Sequence, residues 1–310
     1  MSGIALTDLI AALESRLADQ VRRDVSSAEL TTYRCGGPLA ALVRADQETD
    51  IAVVAEVLHG SDVPVLVVGR GSNLLVSDAG FPGVAITLAG ELEQLDIDRG
   101  AARVRAGGAV PLPVLARRSA AVGVGGLEFF VGIPGSVGGA VRMNAGGHGA
   151  DTAAVIVAAR IVDLDDGLVQ DVTPEDLGLG YRHSAFSPRA IVVGAVFAGT
   201  PGDPTACDER VDEIVRWRRE HQPGGQNAGS VFTNPPGDAA GRLIEAAGCT
   251  GMRIGGAVVS EKHANFFVAD PGAAATDVYA LVELVQQRVE ATSGVHLDPE
   301  LRCIGFAESR

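Results

Sequence analysis

A glycine-rich segment at residues 132–149 places the strongest constraint on how this chain folds. It holds seven glycines and one proline in 18 positions. Glycines this dense let backbone N–H groups approach a ligand that side chains would keep away. A second glycine-rich turn, at residues 69–73, follows the apolar run at 63–68. Two such turns in one acidic chain predict a large phosphate-bearing cofactor held mostly by main-chain groups.

The composition is that of an ordinary globular protein, and it excludes several classes of partner. Of 310 residues, 46% are hydrophobic and 21% are charged, which is enough chain for more than one domain. A net charge of −14 argues against nucleic-acid and anionic-membrane partners, because a polyanion would be repelled. No apolar run approaches the roughly 20 residues of a membrane span, and the N-terminus does not resemble a signal peptide. We therefore expect a cytoplasmic protein.

The cysteines give no indication of a metal site. Cys35, Cys207, Cys249 and Cys303 are scattered through the chain without C-x-x-C spacing. Neither structural zinc nor a disulfide framework is predicted from this pattern. Lys262 is the one lysine, so an anionic ligand would be gripped mainly by arginine.

Hydrophobic periodicity and turn residues predict an α+β chain with a break near residue 200. Helices are expected at about 5–20, 49–58, 111–122, 208–220, 238–247 and 275–292. Strands are expected at about 40–43, 65–68, 83–88, 95–97, 102–106, 154–163, 191–198, 256–259, 265–268 and 301–306. The segment 132–149 is expected to be a loop, and Thr49 or Asp50 to cap the second helix. The helix at 208–220 is expected to bury Val211, Ile214, Val215 and Trp217.

Four polar clusters are candidates for chemistry, although spacing alone assigns a role to none of them. They are an arginine between aromatics at 181–186, a serine turn at 227–235, the segment 262–265, and Glu300. Each has a simpler interpretation as a solvated charge or a turn residue. The turn at 69–73 lacks both the Walker and the GxGxxG spacing, and a GxSxG hydrolase motif is absent.

Taken in order, these segments resemble the UDP-N-acetylenolpyruvoylglucosamine reductases, flavoenzymes of bacterial peptidoglycan precursor synthesis. The resemblance spans about residues 31–306 and includes no tyrosine-bearing insertion between 186 and 230, so the chain resembles the shorter form of the family. The matching segments are Thr31–Pro38, Gly69–Val76, Gly126–Gly149, Tyr181–Phe186, Asn227–Pro235, Gly241–Gly248, His263–Phe267 and Leu297–Gly305.

The resemblance implies a vanillyl-alcohol-oxidase-type (PCMH-type) FAD-binding fold over residues 1–200, with α+β subdomains at about 1–88 and 89–200. A C-terminal α+β substrate domain is implied over residues 201–300. The segment 301–310 is implied to be a terminal strand that returns to the FAD-binding region.

The resemblance also implies the reaction. NADPH reduces non-covalently bound FAD, and the hydride then passes to the enolpyruvyl double bond, which gives UDP-N-acetylmuramate. Arg182 matches the cation that stabilises the enolate-like carboxylate, and Glu300 matches its partner in polarising that group. Ser230 matches the donor of the proton to the adjacent carbon.

Further residues are implied to bind ligands. The FAD-binding residues implied are Gly69, Arg70, Gly71, Ser72, Asn73, Leu74, Gly132, Ile133, Pro134, Ser136, Gly138, Gly139, Asn144, Ala145 and Gly149. The substrate-binding residues implied are Tyr181, Asn234, Arg242, Lys262, His263 and Asn265. Two positions depart from the family: Arg70 stands where a small residue is usual, and Thr233 stands where many members carry a lysine.

Two alternatives remain open at this point. Another FAD oxidoreductase of the same fold would explain both glycine-rich turns, but not the combination of Arg182, Ser230 and Glu300. A non-catalytic nucleotide-sugar or flavin-binding module would bind its ligand tightly without turnover.

Overall fold

The computed structural model describes residues 5–306, and contacts within the chain divide it into two compact units. The first unit comprises Met1–Arg23, Ala41–Arg70 and Gly83–Trp217, and the second comprises Asp24–Ala40, Gly71–Pro82 and Arg218–Arg310. Residues 1–4 and 307–310, the outer ends of the predicted segments 1–88 and 301–310, lie outside the described residues.

The described residues form eight α-helices and four short 3-10 helices. The α-helices are α1 Leu6–Leu17, α2 Glu48–Leu58, α3 Leu112–Ala121, α4 Val137–Met143, α5 Pro174–Leu177, α6 Pro204–His221, α7 Ala240–Ala246 and α8 Ala275–Ser293. The 3-10 helices are Ala18–Gln20, Ser27–Glu29, Gly90–Glu93 and Glu128–Gly132.

The strands are short, and most of them pair antiparallel. They are β1 Val21–Ser26, β2 Pro38–Ala45, β3 Val65–Val67, β4 Leu74–Val76, β5 Phe81–Leu88, β6 Leu95–Asp98, β7 Arg103–Gly107, β8 Val124–Gly125, β9 Gly146–Gly147, β10 Ala150–Asp151, β11 Ile156–Asp163, β12 Val169–Val172, β13 Ala190–Ala198, β14 Thr200–Pro201, β15 Arg253–Ile254, β16 Ala257–Val259, β17 Phe267–Ala269 and β18 Arg302–Ile304. Among the described residues, the larger sheets have the orders β12-β11-β13-β7-β6, β1-β2-β5-β3 and β15-β16-β17.

Most predicted elements are present, but the cap of α2 differs from the prediction. The N-cap is Gln47 rather than Thr49 or Asp50. Asp50 is the third helical residue, and its Oδ2 accepts hydrogen bonds from the backbone N–H groups of Asp46 (2.8 Å) and Gln47 (3.1 Å). This reciprocal arrangement is a capping box, which satisfies donors on both sides of the helix start.

The glycine-rich segment is not wholly irregular, because α4 lies inside it. Ser136 is the N-cap of this helix, and Asn144, with a φ of 41°, is its left-handed C-cap. The sequence predicts a loop here because Gly138 and Gly139 are poor helix formers. Burial of Val137, Ala140 and Val141, which lie on one helical face, outweighs that propensity.

The predicted break near residue 200 does not coincide with a change in contacts. Helix α6 begins after that point, at Pro204, and its residues Cys207, Val211 and Ile214 are buried in a core of the first unit, which continues to Trp217. Trp217 was expected inside, yet 42% of its surface is exposed. Arg218 is half-buried on the last turn of α6, and the Trp217 ring meets His148 edge-on with centroids 5.1 Å apart.

The second unit is built around α8 and the C-terminal strand. Five residues of α8 line one buried face against the core of this unit: Val278, Leu281, Val282, Val285 and Val289. Strand β18 pairs in parallel with β4, a segment of the range that was predicted to bind FAD. The carboxylate of Asp78 accepts hydrogen bonds from the first N–H groups of α8, at Ala275 (3.0 Å) and Thr276 (2.9 Å).

Candidate active site

Gly69, the first residue of the glycine-rich turn at 69–73, lies against the N-cap of α4 within the first unit. A Cβ atom added at Gly69 would lie 2.5 Å from Ser136 Oγ, so the first turn approaches the N-cap of α4 more closely than any other residue type permits. Arg70 follows on the surface. Gly69 and the residues around α4 therefore form a glycine-lined edge of the first unit, of the kind that a large cofactor requires.

Several backbone N–H groups of this edge already donate hydrogen bonds within the protein. The N–H groups of Val137 and Gly138 donate to the carbonyls of Val110 (3.0 Å) and Gly108 (2.8 Å). Gly139 N–H lies 3.5 Å from Ser136 Oγ. These donors hold α4 against its neighbours, so they are not free to hold phosphate.

The glycines of α4 fall into two kinds. A Cβ at Gly138 would meet main-chain atoms, Val192 O at 3.0 Å and Gly108 O at 3.2 Å, so contacts within the protein favour a glycine there. A Cβ at Gly139 would meet only Ser136 Oγ, at an ordinary 3.6 Å, and Gly139 is exposed. Because alanine favours a helix over glycine by about 1 kcal/mol, the fold gives no reason for glycine at position 139. A ligand on that face supplies one.

The remaining predicted residues of the long turn surround α4. Gly132 ends a 3-10 helix, and Ile133 and Pro134 connect it to α4. Beyond the helix, Ala145 N–H donates to the carbonyl of Ala140 at 2.9 Å, and Gly149 has a φ of 88° with no atom within 4 Å of an added Cβ. The edge therefore leaves open space beside its glycines.

Arg182 stands at an unusual backbone position. Gly180 and His183 exchange two main-chain hydrogen bonds of 3.0 and 3.1 Å, which leaves Tyr181 and Arg182 as a tight two-residue turn. Arg182 has a φ of 53°, a left-handed conformation that costs a non-glycine residue about 1–2 kcal/mol. Its guanidinium group lies 5.1 Å from the centroid of the exposed Tyr181 ring.

The carbonyls after α4 hold the Arg182 guanidinium group. Nη2 donates to Gly146 O at 3.0 Å, and Nη1 lies 3.5 Å from Asn144 O. Neutral carbonyls orient a guanidinium group without cancelling its charge, which is what stabilisation of a developing anion requires.

Ser230 and Glu300 lie on adjacent backbone segments of the second unit. Ser230 follows Gly229, whose φ is 77°, and forms a bridge with Phe266. The residue after Ser230, Val231, accepts a 2.8 Å hydrogen bond at its carbonyl from Glu300 N–H. Both side chains are partly exposed. The structure thus brings together two of the three predicted catalytic residues within one unit.

The end of the first glycine-rich turn supports this pair. Gly71 O accepts from Thr32 N–H at 3.1 Å, and Ser72 follows. Asn73 Nδ2 donates to Glu300 O at 3.0 Å, while Leu74 pairs with Arg302 in strands β4 and β18. Asn73, which was predicted to bind FAD, therefore also anchors the main chain of Glu300.

Asn265 is buried rather than presented to solvent. Only 3% of its surface is exposed, and its amide pairs with both main-chain groups of Phe232 at 2.8 and 2.9 Å. The carbonyl of Asn265 accepts a 2.8 Å hydrogen bond from Val231 N–H. A side chain used in this way fixes the segment that carries Ser230.

The other predicted substrate residues in the second unit occupy different settings. Asn234 Oδ1 accepts from Ala240 N–H at 3.0 Å at the start of α7, and Arg242 is paired with Asp238 on the surface. Lys262 Nζ donates to the carbonyl of Arg219 near the end of α6. Burial lowers the pKa of His263, and its Nδ1 accepts from Asn265 N–H at 3.3 Å, so the ring is a neutral acceptor.

The cysteines are poor candidates for nucleophiles. Burial raises the pKa of Cys35 and of Cys303 to about 11 in each case. Burial also raises the pKa of Cys207 and Cys249. Since the thiolate is the reactive species, none of these side chains has the chemistry of a catalytic cysteine.

Arg142 is a residue of the site region that sequence reasoning missed. Its guanidinium group donates to the carbonyls of Phe186 (3.0 Å), Ser187 (2.8 Å) and Ala190 (2.6 Å). It also lies 3.8 Å from the centroid of the Phe186 ring. Arg142 thereby joins the C-terminal end of α4 to the chain that follows Arg182, and no sequence spacing signals this role.

Comparisons with known proteins decide the family. A family model described as "FAD binding domain" matches residues 38–173, and one described as "UDP-N-acetylenolpyruvoylglucosamine reductase, C-terminal domain" matches residues 221–304. The reductase of that name from Methylorubrum extorquens is 42% identical over 311 residues, which covers 100% of this chain and 99% of that protein. The chain belongs to the UDP-N-acetylenolpyruvoylglucosamine reductase family.

Two further similarities agree with this assignment. The namesake reductase of Paramagnetospirillum magneticum is 44% identical over 292 residues, 94% of each chain. The crystal structure of the reductase from Thermus caldophilus aligns with a TM-score of 0.80 at 36% identity, covering 92% of this chain and 98% of that one.

The predicted fold is confirmed as well. A variant of berberine bridge enzyme aligns with a TM-score of 0.51 over 64% of this chain and 44% of that one, at 15% identity, which is a likeness of fold alone. Together with the matched FAD-binding domain, it shows the vanillyl-alcohol-oxidase-type fold in this member of the reductase family.

The described residues contain neither a helix that could span a membrane nor a cluster of metal-ligating side chains. Between residues 5 and 306, no helix combines the length and apolar character that crossing a membrane requires. Within the same range, no group of His, Cys, Asp or Glu side chains is arranged to hold a metal ion.

The exposed glycine of α4 gives a direct test of the FAD edge. We predict that Gly139→Ala stabilises the FAD-free protein by up to about 1 kcal/mol, because alanine favours the helix. The same change is predicted to weaken FAD binding by about 10-fold, because the added methyl group occupies space kept for the cofactor. Thermal unfolding and fluorescence titration with FAD measure the two effects.

Gly138→Ala is the matched control, since its methyl group would press on main-chain carbonyls within the protein. It is expected to lower the stability of the FAD-free protein. Undiminished FAD affinity in Gly139→Ala would show that this face does not bind the cofactor.

Proposed function

We propose that this chain catalyses the NADPH-dependent reduction of UDP-N-acetylenolpyruvoylglucosamine to UDP-N-acetylmuramate. The observation that carries the proposal is full-length similarity to reductases of that name at 42% identity, in a chain with a matched FAD-binding domain. The aligned region covers 100% of this chain and 99% of that relative. This similarity favours this reductase over another oxidoreductase of the same fold.

The residues present fit FAD as a non-covalent cofactor. The close contact between Gly69 and Ser136, the exposed Gly139 and the open space beside Gly149 form an edge on which the main chain is accessible to a ligand. FAD bound at this edge would supply the redox chemistry that links NADPH oxidation to reduction of the enolpyruvyl double bond.

Arg182 is the residue that we assign to charge stabilisation. Addition of hydride to an enol ether makes an enolate-like carboxylate, and a preoriented cation lowers the free energy of that charge. Main-chain carbonyls orient the guanidinium group before substrate arrives. The strained φ of 53° at Arg182 agrees with a functional constraint at this position.

Ser230 is assigned as the donor of the proton that completes the reduction, and Glu300 as the group that helps to polarise the substrate. Both lie on backbone fixed by hydrogen bonds, through Val231 and through the side chain of Asn73. A rigid main chain keeps a small hydroxyl group within reach of the carbon that it protonates.

We further propose that the enzyme acts in the cytoplasm, because both its electron donor and its nucleotide-sugar substrate are cytoplasmic classes of metabolite. Its two ligands in turnover are then NADPH and UDP-N-acetylenolpyruvoylglucosamine.

Steady-state kinetics test the function. FAD-loaded protein is expected to oxidise NADPH rapidly only when UDP-N-acetylenolpyruvoylglucosamine is present, and to form UDP-N-acetylmuramate in equal amount. NADPH oxidation at the same rate without the sugar nucleotide would contradict the assignment. Tight FAD binding with no turnover would favour a non-catalytic binding module.

A serine substitution separates the two halves of the reaction. We expect Ser230→Ala to leave flavin reduction by NADPH intact and to slow flavin reoxidation by substrate by about 10²–10⁴-fold, the usual contribution of a general acid. Stopped-flow absorbance follows each half-reaction. Thr233→Ala, on the same segment, is the control and is expected to retain reoxidation. Equal loss of both half-reactions in Ser230→Ala would contradict its role as proton donor.

A further inference from the structure

The side chain of Asn144 is wholly engaged within the protein. It is 3% exposed, and its Nδ2 donates to Gly180 O at 2.8 Å and to Asp151 Oδ2 at 3.2 Å. Its Oδ1 accepts from Ala153 N–H at 2.8 Å. An amide has two donor hydrogens, and both are used here. The side chain therefore has no donor left for a cofactor.

One of these hydrogen bonds reaches the turn that carries Arg182. Gly180 O accepts from Asn144 Nδ2 in addition to His183 N–H, so it has a partner both inside and outside the turn. The left-handed φ of Arg182 persists only if the surrounding structure fixes it. Asn144 supplies such a constraint from the end of α4.

Asn144 also contacts the other end of the arginine. Its own carbonyl lies 3.5 Å from Arg182 Nη1, and the carbonyl of Gly146, two residues further on, accepts from Nη2 at 3.0 Å. One short segment thus holds both the backbone of the turn and the guanidinium group. Asn144 is the residue of this segment that contacts both.

We propose that Asn144 is a positioning residue for Arg182: its amide fixes the turn at Gly180 while its main chain orients the guanidinium group. This inference rests on the proposed function, in which Arg182 stabilises the charge that develops on the substrate. Asn144 also suits the position by conformation, since asparagine tolerates the left-handed backbone of a helix C-cap.

The first experiment measures the turn itself. Asn144→Gly removes the amide and keeps the left-handed backbone without strain. Thr152→Val is the matched control, because it deletes a 2.9 Å hydrogen bond to Ala145 O in the same loop and leaves Gly180 untouched. We expect hydrogen–deuterium exchange of the peptide at 178–186 to be faster in Asn144→Gly only. Unchanged exchange there would overturn the proposal.

The second experiment measures the consequence for the reaction. In Asn144→Gly we expect FAD content and flavin reduction by NADPH to be retained, and flavin reoxidation by substrate to slow by about 10²-fold, as for a misplaced catalytic group. In an Arg182→Ala background the same change is expected to have no further effect, because the two residues act as one unit.

Each other outcome overturns the inference in a recognisable way. An equal additional loss in Arg182→Ala shows a role independent of the arginine, and loss of FAD identifies Asn144 as a cofactor ligand. Normal reoxidation in Arg182→Ala itself refutes the proposed role of Arg182 and leaves Asn144 as a structural anchor. If Asn144→Gly does not fold, Asn144→Asp, which keeps the acceptor for Ala153 and loses both donors, replaces it.

Discussion

The turns that carry chemistry in this protein depend on hydrogen bonds from buried asparagine amides. Asn144 and Asn265 are each 3% exposed, and each bonds to the main chain beside a predicted catalytic residue. Asn144 reaches Gly180, two residues before Arg182, and Asn265 pairs with Phe232, two residues after Ser230. A turn has few main-chain hydrogen bonds of its own. A buried amide supplies both a donor and an acceptor, so it replaces the hydrogen bonds that a helix or sheet would provide.

This arrangement explains how the predicted catalytic residues can be held without regular secondary structure. A helix or strand holds its side chains through repeated hydrogen bonds, whereas the turn at Gly180–His183 has two. The strained conformation of Arg182 adds a cost that neighbouring contacts must offset. The packed end of α4, with Arg142 bonded to three carbonyls, supplies those contacts. Helix α4, whose glycines led the sequence to predict a loop, therefore supports Arg182.

Much of the architecture is readable from sequence, because apolar periodicity survives in most elements. The leucines of α1 and the valines of α8 predict their helices correctly, and both are buried on one face. Prediction fails where tertiary contacts outweigh local preference. Two adjacent glycines led to the prediction of a loop where α4 forms, and a capping box places the cap of α2 at Gln47. On the last turns of α6, Trp217 was expected to be buried but is exposed, and the neighbouring Arg218 is half-buried.

The candidate site likewise has features that the sequence could predict and features that it could not. Glycine density indicated a cofactor edge, but Arg182, Ser230 and Glu300 came from family resemblance, since an isolated arginine, serine or glutamate carries no periodic signal. The buried state of Asn144 and Asn265 was beyond any sequence pattern, because it depends on carbonyls about 33–36 residues away. Asparagine is usually an exposed residue, so its burial here is informative only once the structure is known.

The central claim is that electrons from NADPH pass through FAD in this protein to the enolpyruvyl group of the sugar nucleotide. The most direct measurement is the absorbance of the flavin in anaerobic, FAD-loaded protein that has been reduced stoichiometrically with NADPH. Addition of UDP-N-acetylenolpyruvoylglucosamine is predicted to restore the oxidised flavin spectrum in proportion to the amount added, with UDP-N-acetylmuramate as the product. A flavin that stays reduced after that addition would contradict the account.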